Sequence, residues 1–342
     1  MKKFLILALC AFASLYHAEA ADKKRVLVCS VTTGFRHGSI GDAEKTLTKL
    51  GADSGLYEIV DFARQPDVNV PQKPNKPNKP KDLAPDADQK AKDKYAGDLK
   101  RYEADQAKYD AEMAKWTPEK EAEMKKAQGS KDEQIKASLA KLDPKYLTEH
   151  KIDLVIFANT TGDLPLPDKE GFIKWVEDGH AFCGMHSASD TFHGFKGYIN
   201  MLQGEFQTHG AQVPADLLAG DVKHPANGGI GAKWDIKVEE MYEIKSQDRD
   251  KVHVIWYLPH HPQHKDQAGY WAVSWCREVG KGRLFYTSLG HREDLWNADP
   301  AMKGRQNTVE MAQQYQAHIL GGIKWALGLA EGSATPNPEV GK

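Results

Sequence analysis

The fold is decided by a short apolar stretch that ends on a histidine, Ala181-Phe182-Cys183-Gly184-Met185-His186. A continuous apolar run of this length is typical of a strand buried on both faces of a parallel sheet. Residues 25–31 and 284–288 have the same character, and the polar segments after them contain His37 and His291. Because the carboxyl ends of parallel strands lie on one edge of an open α/β sheet, we expect these histidines to converge.

The other patterned segments extend this prediction to a mostly parallel sheet with helices on both faces. Apolar spacing and flanking turn residues predict strands at 57–61, 152–158, 234–244 and 252–258, and helices at 41–50, 168–179 and 310–329. Residues 270–277 and 283–288 predict a late β-hairpin around Gly280-Lys281-Gly282. The expected fold class is therefore α/β.

Residues 69–149 differ in composition from the rest of the chain. Repeated Pro-Asn-Lys-Pro over 70–81 predicts an extended linker, and the Ala/Lys/Glu-rich residues 86–142 predict a charged helical hairpin inserted into the α/β domain. Thr117-Pro118 and Ser130 are typical of further helix starts. One set of residues has the alternating spacing of a coiled-coil seam, broken only by a glutamine: Tyr95, Leu99, Tyr102, Gln106, Tyr109, Met113 and Trp116.

That seam leaves the role of the insertion open. It predicts self-association or a protein partner through residues 86–142, or packing of the hairpin on itself, and the alternative is a solvated charged helix with incidental aromatic residues. A spacer or docking arm fits this composition better than a catalytic lid. Residues 331–342 are expected to form a disordered tail.

The first twenty residues are typical of a secretory signal peptide. Lys2 and Lys3 precede an apolar run, and Ala18-Glu19-Ala20 fits a cleavage site. We favour cleavage after Ala20 over lipidation at Cys10, and expect a periplasmic or secreted protein without a membrane span. The other cysteines lie in apolar runs and are expected to be buried free thiols, although one bridge among them stays possible: Cys29, Cys183 and Cys276.

The charge balance argues against nucleic acid as a partner. Without the first twenty residues the chain has 44 basic and 47 acidic residues, a net charge of −3. Binding to phosphates needs a basic surface, and the Lys-rich segments of this chain are interleaved with Asp and Glu.

Six sequence blocks, in order, resemble the ThuA-like (trehalose utilisation) family. They are GFRHGSI at 34–40, TTGD at 160–163, GMHSASDTF at 184–192, GEFQTH at 204–209, HP at 224–225 and GKGRLFYTSLGH at 280–291. The resemblance covers residues 24–68 and 150–328, and it places a ThuA-like domain at 21–68 and 150–330. It implies a flavodoxin-like fold related to class I glutamine amidotransferases. It also implies a carbohydrate ligand, a disaccharide or a keto-sugar.

The resemblance also argues against glutaminase chemistry. Amidotransferases of this fold carry a nucleophilic cysteine in a G-x-C-x-G turn, and the matching position here is His186 in Gly184-Met185-His186-Ser187-Ala188. Cys183 is inside the preceding strand and cannot replace it. Ser187 is a weak candidate nucleophile, since serine beside a turn more often caps the backbone. Asp190 is four residues after His186 and would orient its ring if the segment were helical.

The candidate catalytic residues follow from these blocks: His37, His186, Asp190, His209 and His291. Two chemistries remain open for them. A divalent metal such as zinc would be held by His186, His209 and His291, or two histidines would act as general base and general acid. No HExxH-type spacing decides between these alternatives.

Other polar and aromatic residues near the blocks are candidates for binding a sugar: Phe35, Arg36, Ser39, Asn159, Thr161, Asp163, Phe192, Glu205 and Trp296. His224 either belongs to the site or only shapes its loop, and the histidine-rich residues 257–264 are expected to form an exposed loop, with metal binding as the alternative. The chain is expected to be an enzyme acting on a carbohydrate. The alternative is a non-catalytic sugar-binding or scaffold protein that uses the helical insertion.

Overall fold

The computed structural model describes residues 22–264 and 268–342. The strands are β1 (Lys24–Cys29), β2 (Tyr57–Ala63), β3 (Leu154–Ala158), β4 (Ala181–Met185), β5 (Glu205–His209), β6 (Val213–Ala219), β7 (Lys233–Glu239), β8 (Tyr242–Lys245), β9 (His253–His260), β10 (Ala268–Val279) and β11 (Gly282–Thr287). The helices are α1 (Ile40–Ser54), α2 (Gln89–Met113), α3 (Pro118–Leu139), α4 (Pro144–Glu149), α5 (Lys169–Glu177), α6 (Lys196–Leu202), α7 (Glu293–Trp296) and α8 (Val309–Ala326).

One large mixed sheet carries the fold, in the order β2-β1-β3-β4-β11-β10-β9-β6-β7. The strands from β2 to β11 pair in parallel, and those from β11 to β7 pair antiparallel. A separate two-stranded ribbon joins β5 to β8. The α/β class, the parallel half of the sheet and the late hairpin of β10 and β11 agree with the sequence prediction. Strands β7, β9 and β10 lie where strands were predicted and β6 was not predicted. The difference lies in their pairing, because these four strands form an antiparallel extension of a sheet that was expected to be mostly parallel.

Helices cover both faces of this sheet because the buried strands have two apolar faces. One layer is formed by α1 and α8, which bury Ala43, Leu47, Tyr315, Ile319 and Ile323. The opposite layer buries Leu139, Leu147, Phe172 and Tyr198 from α3, α4, α5 and α6. Each buried side chain of the size of leucine contributes about 1.5–3 kcal/mol to folding. The strand ends that carry the histidines are therefore held by a two-sided core.

A strand predicted as continuous is interrupted at the point that matters for the site. The sequence predicts one strand over 234–244, whereas β7 ends at Glu239 and β8 begins at Tyr242. The break transfers the chain from the large sheet to the small ribbon. As a result Glu240 lies between two strands in different sheets, and its side chain is buried.

The Pro-rich segment runs beside helix α2. Every third residue from Pro71 to Pro80 is half-buried and the two residues between are exposed, which is the period of a polyproline II helix. Pro77 and Pro80 line a groove with Tyr102, and the hydroxyl of Tyr95 donates to Asp82 at 3.0 Å. The seam residues listed above are half-buried in the same way. They are therefore covered, at least in part, by this chain's own segment.

Helix α3 differs from the prediction at Ser130. Its N-terminus is capped by Thr117, with Pro118 in the first turn, and the helix continues without a break to Leu139. Ser130 therefore lies inside α3 and does not begin a third helix. Gly129 before it costs about 1 kcal/mol in a helix interior, and the Ala-, Lys- and Glu-rich residues on both sides are strong enough helix formers to continue through it. The last turns of α3 enter the core through Ile135 and Leu139.

The C-terminal segment is not a disordered tail. Asn337 donates to the carbonyl oxygen of Val254 at 3.0 Å and accepts from its main-chain nitrogen at 2.7 Å. The side chain of Arg249 donates to the carbonyl of Pro338 at 2.7 Å. Residues 331–342 therefore pack along β9, because side chains of the domain satisfy their backbone groups.

Two other expectations concern the cysteines and the membrane. The three cysteines within the described residues are buried free thiols, as predicted. In the same part of the chain, no helix has both the length and the hydrophobicity to cross a membrane. The predicted signal peptide and Cys10 lie outside the described residues.

Candidate active site at the carboxyl ends of the parallel strands

Three predicted histidines meet at one edge of the sheet. His37 is in the segment after β1, His186 directly follows β4, and His291 comes after β11. Nε2 of His37 lies 3.2 Å from Nε2 of His186, and the ring centroids of His37 and His291 are 5.2 Å apart. The strand order brings these residues together although more than 250 positions separate the first from the last.

His186 occupies a strained turn between β4 and a 3₁₀ turn over residues 186–190. Its φ angle of 49° is in the left-handed region, which costs energy for a residue with a side chain and is concentrated at functional sites. Nδ1 lies 2.7 Å from the carbonyl oxygen of Ser288, so it carries the ring proton and Nε2 is the free acceptor. The hydroxyl of Tyr242 donates to that Nε2 at 2.7 Å.

Glu240 completes the group, and it was not among the predicted site residues. Its Oε2 lies 3.0 Å from Nδ1 of His291 and 3.9 Å from Nε2 of His186. One ligand atom from each of four residues lies within 4.8 Å of the other three, and we call this set the strand-end cluster: His37, His186, Glu240 and His291. The predicted metal ligands included His209 in place of His37 and Glu240.

The ligand set fits a divalent cation. Two nitrogens on a tetrahedral zinc are about 3.3 Å apart, given metal–nitrogen bonds of about 2.0–2.1 Å, and the two Nε2 atoms of His37 and His186 are separated by 3.2 Å. Nδ1 of His291 is buried near Glu240 but has no partner in hydrogen-bond geometry among the described residues. Three imidazoles and a carboxylate are a typical donor set for zinc.

Burial controls the charge of the imidazoles. It lowers the pKa of His37 to about 4, with the nearby His291 acting in the same direction. Burial also lowers the pKa of His186 well below its usual value, and His37 adds to the effect. Burial lowers the pKa of His291 too, but the carboxylates of Glu240 and Glu239 outweigh it and the net shift is upward. His37 and His186 are therefore neutral at pH 7, the form in which histidine binds metals.

Two glutamates in sequence have separate positions in this region. Glu239 is fully buried and accepts from the main-chain nitrogens of Glu240, His291 and Arg292 at 3.1, 3.0 and 3.4 Å. Burial raises the pKa of Glu239 to about 7. Its hydrogen bonds fix the backbone that carries Glu240 and His291, so it positions two members of the strand-end cluster. The pair Glu239-Glu240, which breaks the alternation of apolar and charged residues in the predicted strand over 234–244, was the available sequence signal for both residues.

Asp190 does not orient His186. In a 3₁₀ turn residues three apart lie on the same side, so a residue at i+4 is rotated away. Asp190 instead contacts Nε2 of His193 at 2.5 Å, and Glu205 contacts Nδ1 of the same ring at 2.8 Å. Burial lowers the pKa of His193, but the two carboxylates raise it by more. Asp190 and Glu205 thus form a charged group around His193, outside the strand-end cluster.

His209 lies beside the cluster rather than in it. Its Nδ1 is 3.5 Å from Oε1 of Glu240 and its ring is half-exposed. On another side, the amide of Gln212 donates to Nε2 of His291 at 2.9 Å. These two residues form a rim around the buried ligands, and Gln212 was not predicted.

Among the predicted sugar-binding residues, Phe35 alone presents a large exposed apolar surface. Its side chain is 67% exposed and its ring makes an edge contact with His37 at a centroid distance of 4.8 Å. Thr161 donates to the carbonyl of Phe35 at 2.7 Å and so holds that segment in place. Phe35 therefore presents an exposed aromatic face beside the strand-end cluster.

The other predicted sugar-binding residues are engaged elsewhere. Ser39 and Asn159 are buried and both donate to the carbonyl of Gly290, so they connect the segments that follow β1, β3 and β11. Phe192 and Trp296 are buried in the core, because the aromatic and apolar residues around them exclude solvent. Arg36 donates to the carbonyl of Ser30, and Asp163 pairs with Lys169 on the surface.

Two further histidine segments are structural or separate. His224 accepts from the main-chain nitrogen of Ala226 at 3.1 Å and contacts the thiol of Cys276, so it shapes its turn. Residues 257–260 belong to strand β9 and His261 is buried, so the expected exposed loop is wrong for these residues. His261 belongs to a second group of metal-binding side chains with Glu243 and His264.

The predicted weak nucleophile Ser187 is buried, and its hydroxyl contacts Nδ1 of His37 at 3.3 Å.

The fold and the site together define a doubly wound α/β protein with its functional residues at the carboxyl ends of parallel strands. The sequence profile of the ThuA family, described as trehalose utilisation, matches residues 109–326. The chain belongs to this family. The match includes His186, Glu240 and His291 and begins after His37.

The fold is also similar to that of two solved proteins. A putative ThuA-like protein from Parabacteroides merdae is 15% identical, with a TM-score of 0.53 over 92% of this chain and 93% of that chain. A putative ThuA-like protein from Bacteroides uniformis is 13% identical, with a TM-score of 0.50 over 91% of this chain and 95% of that chain. No curated protein sequence matches this chain.

Proposed function

We propose that this protein is an enzyme acting on a carbohydrate, a disaccharide or keto-sugar, with a divalent cation held by the strand-end cluster. The observation that carries this proposal is the convergence of three imidazoles and one carboxylate within 4.8 Å, at the carboxyl ends of parallel strands, where ligands generally bind in open α/β sheets. Zinc suits this donor set best. Membership of the trehalose utilisation family supports a carbohydrate-related role.

The cation would supply Lewis-acid chemistry, which suits a sugar carbonyl or a bound water. The protein's own groups would bind and orient the substrate. Burial raises the pKa of Tyr242 well above its usual value, so its phenol stays protonated. With a cation at Nε2 of His186, the hydroxyl that donates to this nitrogen would be released to donate to a sugar oxygen. Phe35 offers an exposed apolar face beside the cluster on which a sugar ring could stack, and His209 lies half-exposed at its rim.

A metal-free version of the same chemistry remains the second candidate. The contact between the Nε2 atoms of His37 and His186 at 3.2 Å allows one ring to hold a proton for the other. One histidine would then act as general base and the other as general acid on the sugar. The two versions differ in whether chelation removes activity.

We further propose that the protein is exported, with a signal peptide at residues 1–20, and that the charged helical segment projects from the domain as a spacer or docking arm. None of the residues of α2 is buried, whereas α3 is anchored in the core by its last turns. A non-catalytic sugar-binding or scaffold protein would use the same arm. Turnover of a sugar distinguishes an enzyme from such a protein.

The decisive experiment measures turnover of 3-keto-disaccharides and their unoxidised parents by mass spectrometry, with zinc and after chelation. We expect activity with zinc, its loss after chelation, and its loss in His186→Asn and His291→Asn. His150→Asn, an exposed histidine outside the site, is the matched control. Activity that survives chelation but not His186→Asn would favour acid–base catalysis, and full activity in both site variants would refute the proposal.

A further inference from the structure

A second group of metal-binding side chains lies away from the strand-end cluster. One ligand atom each from Glu243, His261 and His264 lies within 4.8 Å of the other two. Glu243 is on β8, and the two histidines follow β9. Consecutive residues of a strand point to opposite sides, and Tyr242, the neighbour of Glu243, contacts His186. Strand β8 therefore separates the two groups.

One imidazole nitrogen of this group is buried without a partner. His261 is 1% exposed, and its Nε2 has no hydrogen-bond partner within the described residues. Its Nδ1 is 3.3 Å from the main-chain nitrogen of Gln263, which is a long contact. A buried polar atom without a partner costs free energy. A cation at Nε2 would satisfy it with the ring proton on Nδ1, and the long contact in which the Gln263 N–H donates to Nδ1 would then be given up.

The surrounding residues hold these ligands in place. The ring of His264 stacks on Trp271 at a centroid distance of 5.8 Å, and His261 packs on the same indole at 5.6 Å. Nε2 of His264 lies 3.0 Å from Oε1 of Glu243. With its nitrogen turned toward Glu243, the amide of Gln263 donates to the same oxygen at 2.7 Å. Such outer hydrogen bonds orient metal-binding carboxylates.

We propose that Glu243, His261 and His264 bind a divalent transition-metal cation of the zinc type, with at least one coordination position left for water or a ligand. Two imidazoles and one carboxylate form a known zinc donor set of three. His261 and Gln263 also line a cavity of about 640 Å³, which opens a path from solvent to the site. The site is independent of the strand-end cluster and of the proposed enzyme activity.

The test counts zinc bound by the full chain, by isothermal titration and by elemental analysis after gel filtration. We expect two equivalents for the unmodified protein. His261→Asn with His264→Gln should retain one equivalent, and His186→Asn with His291→Asn should retain the other. His260→Asn, an exposed neighbour outside the group, is the control and should bind two.

Each result decides the proposal. If the double variant at 261 and 264 does not fold, His264→Gln alone is tested, since this half-exposed ring can be replaced without disturbing the core. It should weaken binding of the second zinc equivalent by at least about tenfold. The unmodified protein could instead bind a single zinc equivalent. If His186→Asn with His291→Asn retains that equivalent and His264→Gln loses it, the result would support this site and refute metal binding by the strand-end cluster. The proposal is overturned if changes at 261 and 264 leave the zinc count and affinity unaltered, or if His260→Asn lowers them equally.

Discussion

Zinc should stabilise this protein through Glu240, and the size of the effect can be worked out in advance. The variant Glu240→Gln keeps the shape of the side chain but removes a carboxylate 3.0 Å from Nδ1 of His291. We place both proteins in a His264→Gln background, so that the second metal group does not contribute. A ligand at one hundred times its Kd stabilises the folded state by about 2.7 kcal/mol.

That free energy converts into a measurable shift. For 342 residues, an unfolding entropy of about 2.1 cal/mol/K per residue gives about 0.7 kcal/mol/K, so the melting temperature should rise by about 4 °C. Loss of one ligand should weaken zinc binding by about a hundredfold or more, the upper range for outer-shell changes. At the same zinc concentration, zinc would stabilise the Glu240→Gln variant by only about 0.4 kcal/mol, which corresponds to a rise in melting temperature of about 0.6 °C.

The assay is differential scanning calorimetry with zinc and with chelator. The matched control is Glu205→Gln, which removes a buried carboxylate that contacts His193 and lies outside the cluster. It should show the full zinc-dependent shift whatever its melting temperature without metal. A shift of about 4 °C in Glu240→Gln as well would refute the assignment of Glu240 as a ligand.

Three further changes test the site and the fold. Tyr242→Phe removes a hydroxyl that competes with zinc for Nε2 of His186. A hydrogen bond contributes about 1 kcal/mol, so zinc should bind about fivefold tighter, while turnover should fall about a hundredfold. Weaker zinc binding in a titration would contradict this prediction. Burial raises the pKa of Asp294, but Arg292 and main-chain donors lower it to about 2. The ionised Asp294 therefore contributes about 2 kcal/mol to the free energy of unfolding above about pH 4, and this contribution is lost toward pH 2. Urea unfolding should show that Asp294→Asn is less stable than the unmodified protein at pH 7 and that the difference in stability shrinks in acid. A difference that does not change with pH would contradict this prediction. Leu139→Ala should cost about 2–5 kcal/mol, whereas a change below about 1 kcal/mol in urea unfolding would show that α3 is not part of the core.

The sequence predicted the parts of the fold that local pattern determines. Apolar runs of five to seven residues identified the parallel strands, and their carboxyl ends located three histidines of the site. The antiparallel extension from β10 to β7 was less accessible, because partner choice depends on contacts between distant segments. The course of residues 331–342 also depends on distant partners such as Arg249 and Val254, which composition alone does not reveal.

The site residues that were missed share one property: their position depends on an irregular backbone. Glu240 reaches the cluster because β7 stops one residue before it and the chain changes sheets. Asp190 misses His186 because the segment is a 3₁₀ turn, which differs from an α-helix by less than one residue per turn. Sequence periodicity cannot resolve a difference of this size.

The turn at His186 decides which chemistry its side chain can take part in. Its left-handed backbone holds the side chain at the edge of the sheet. With imidazole at this position the ring nitrogen reaches His37 at 3.2 Å, and the Ser288 carbonyl fixes which nitrogen is available. A nucleophile would need a base beside it and a donor for the developing oxyanion. Here the neighbours are two more imidazoles and a buried carboxylate, the donor set on which the proposed cation site rests.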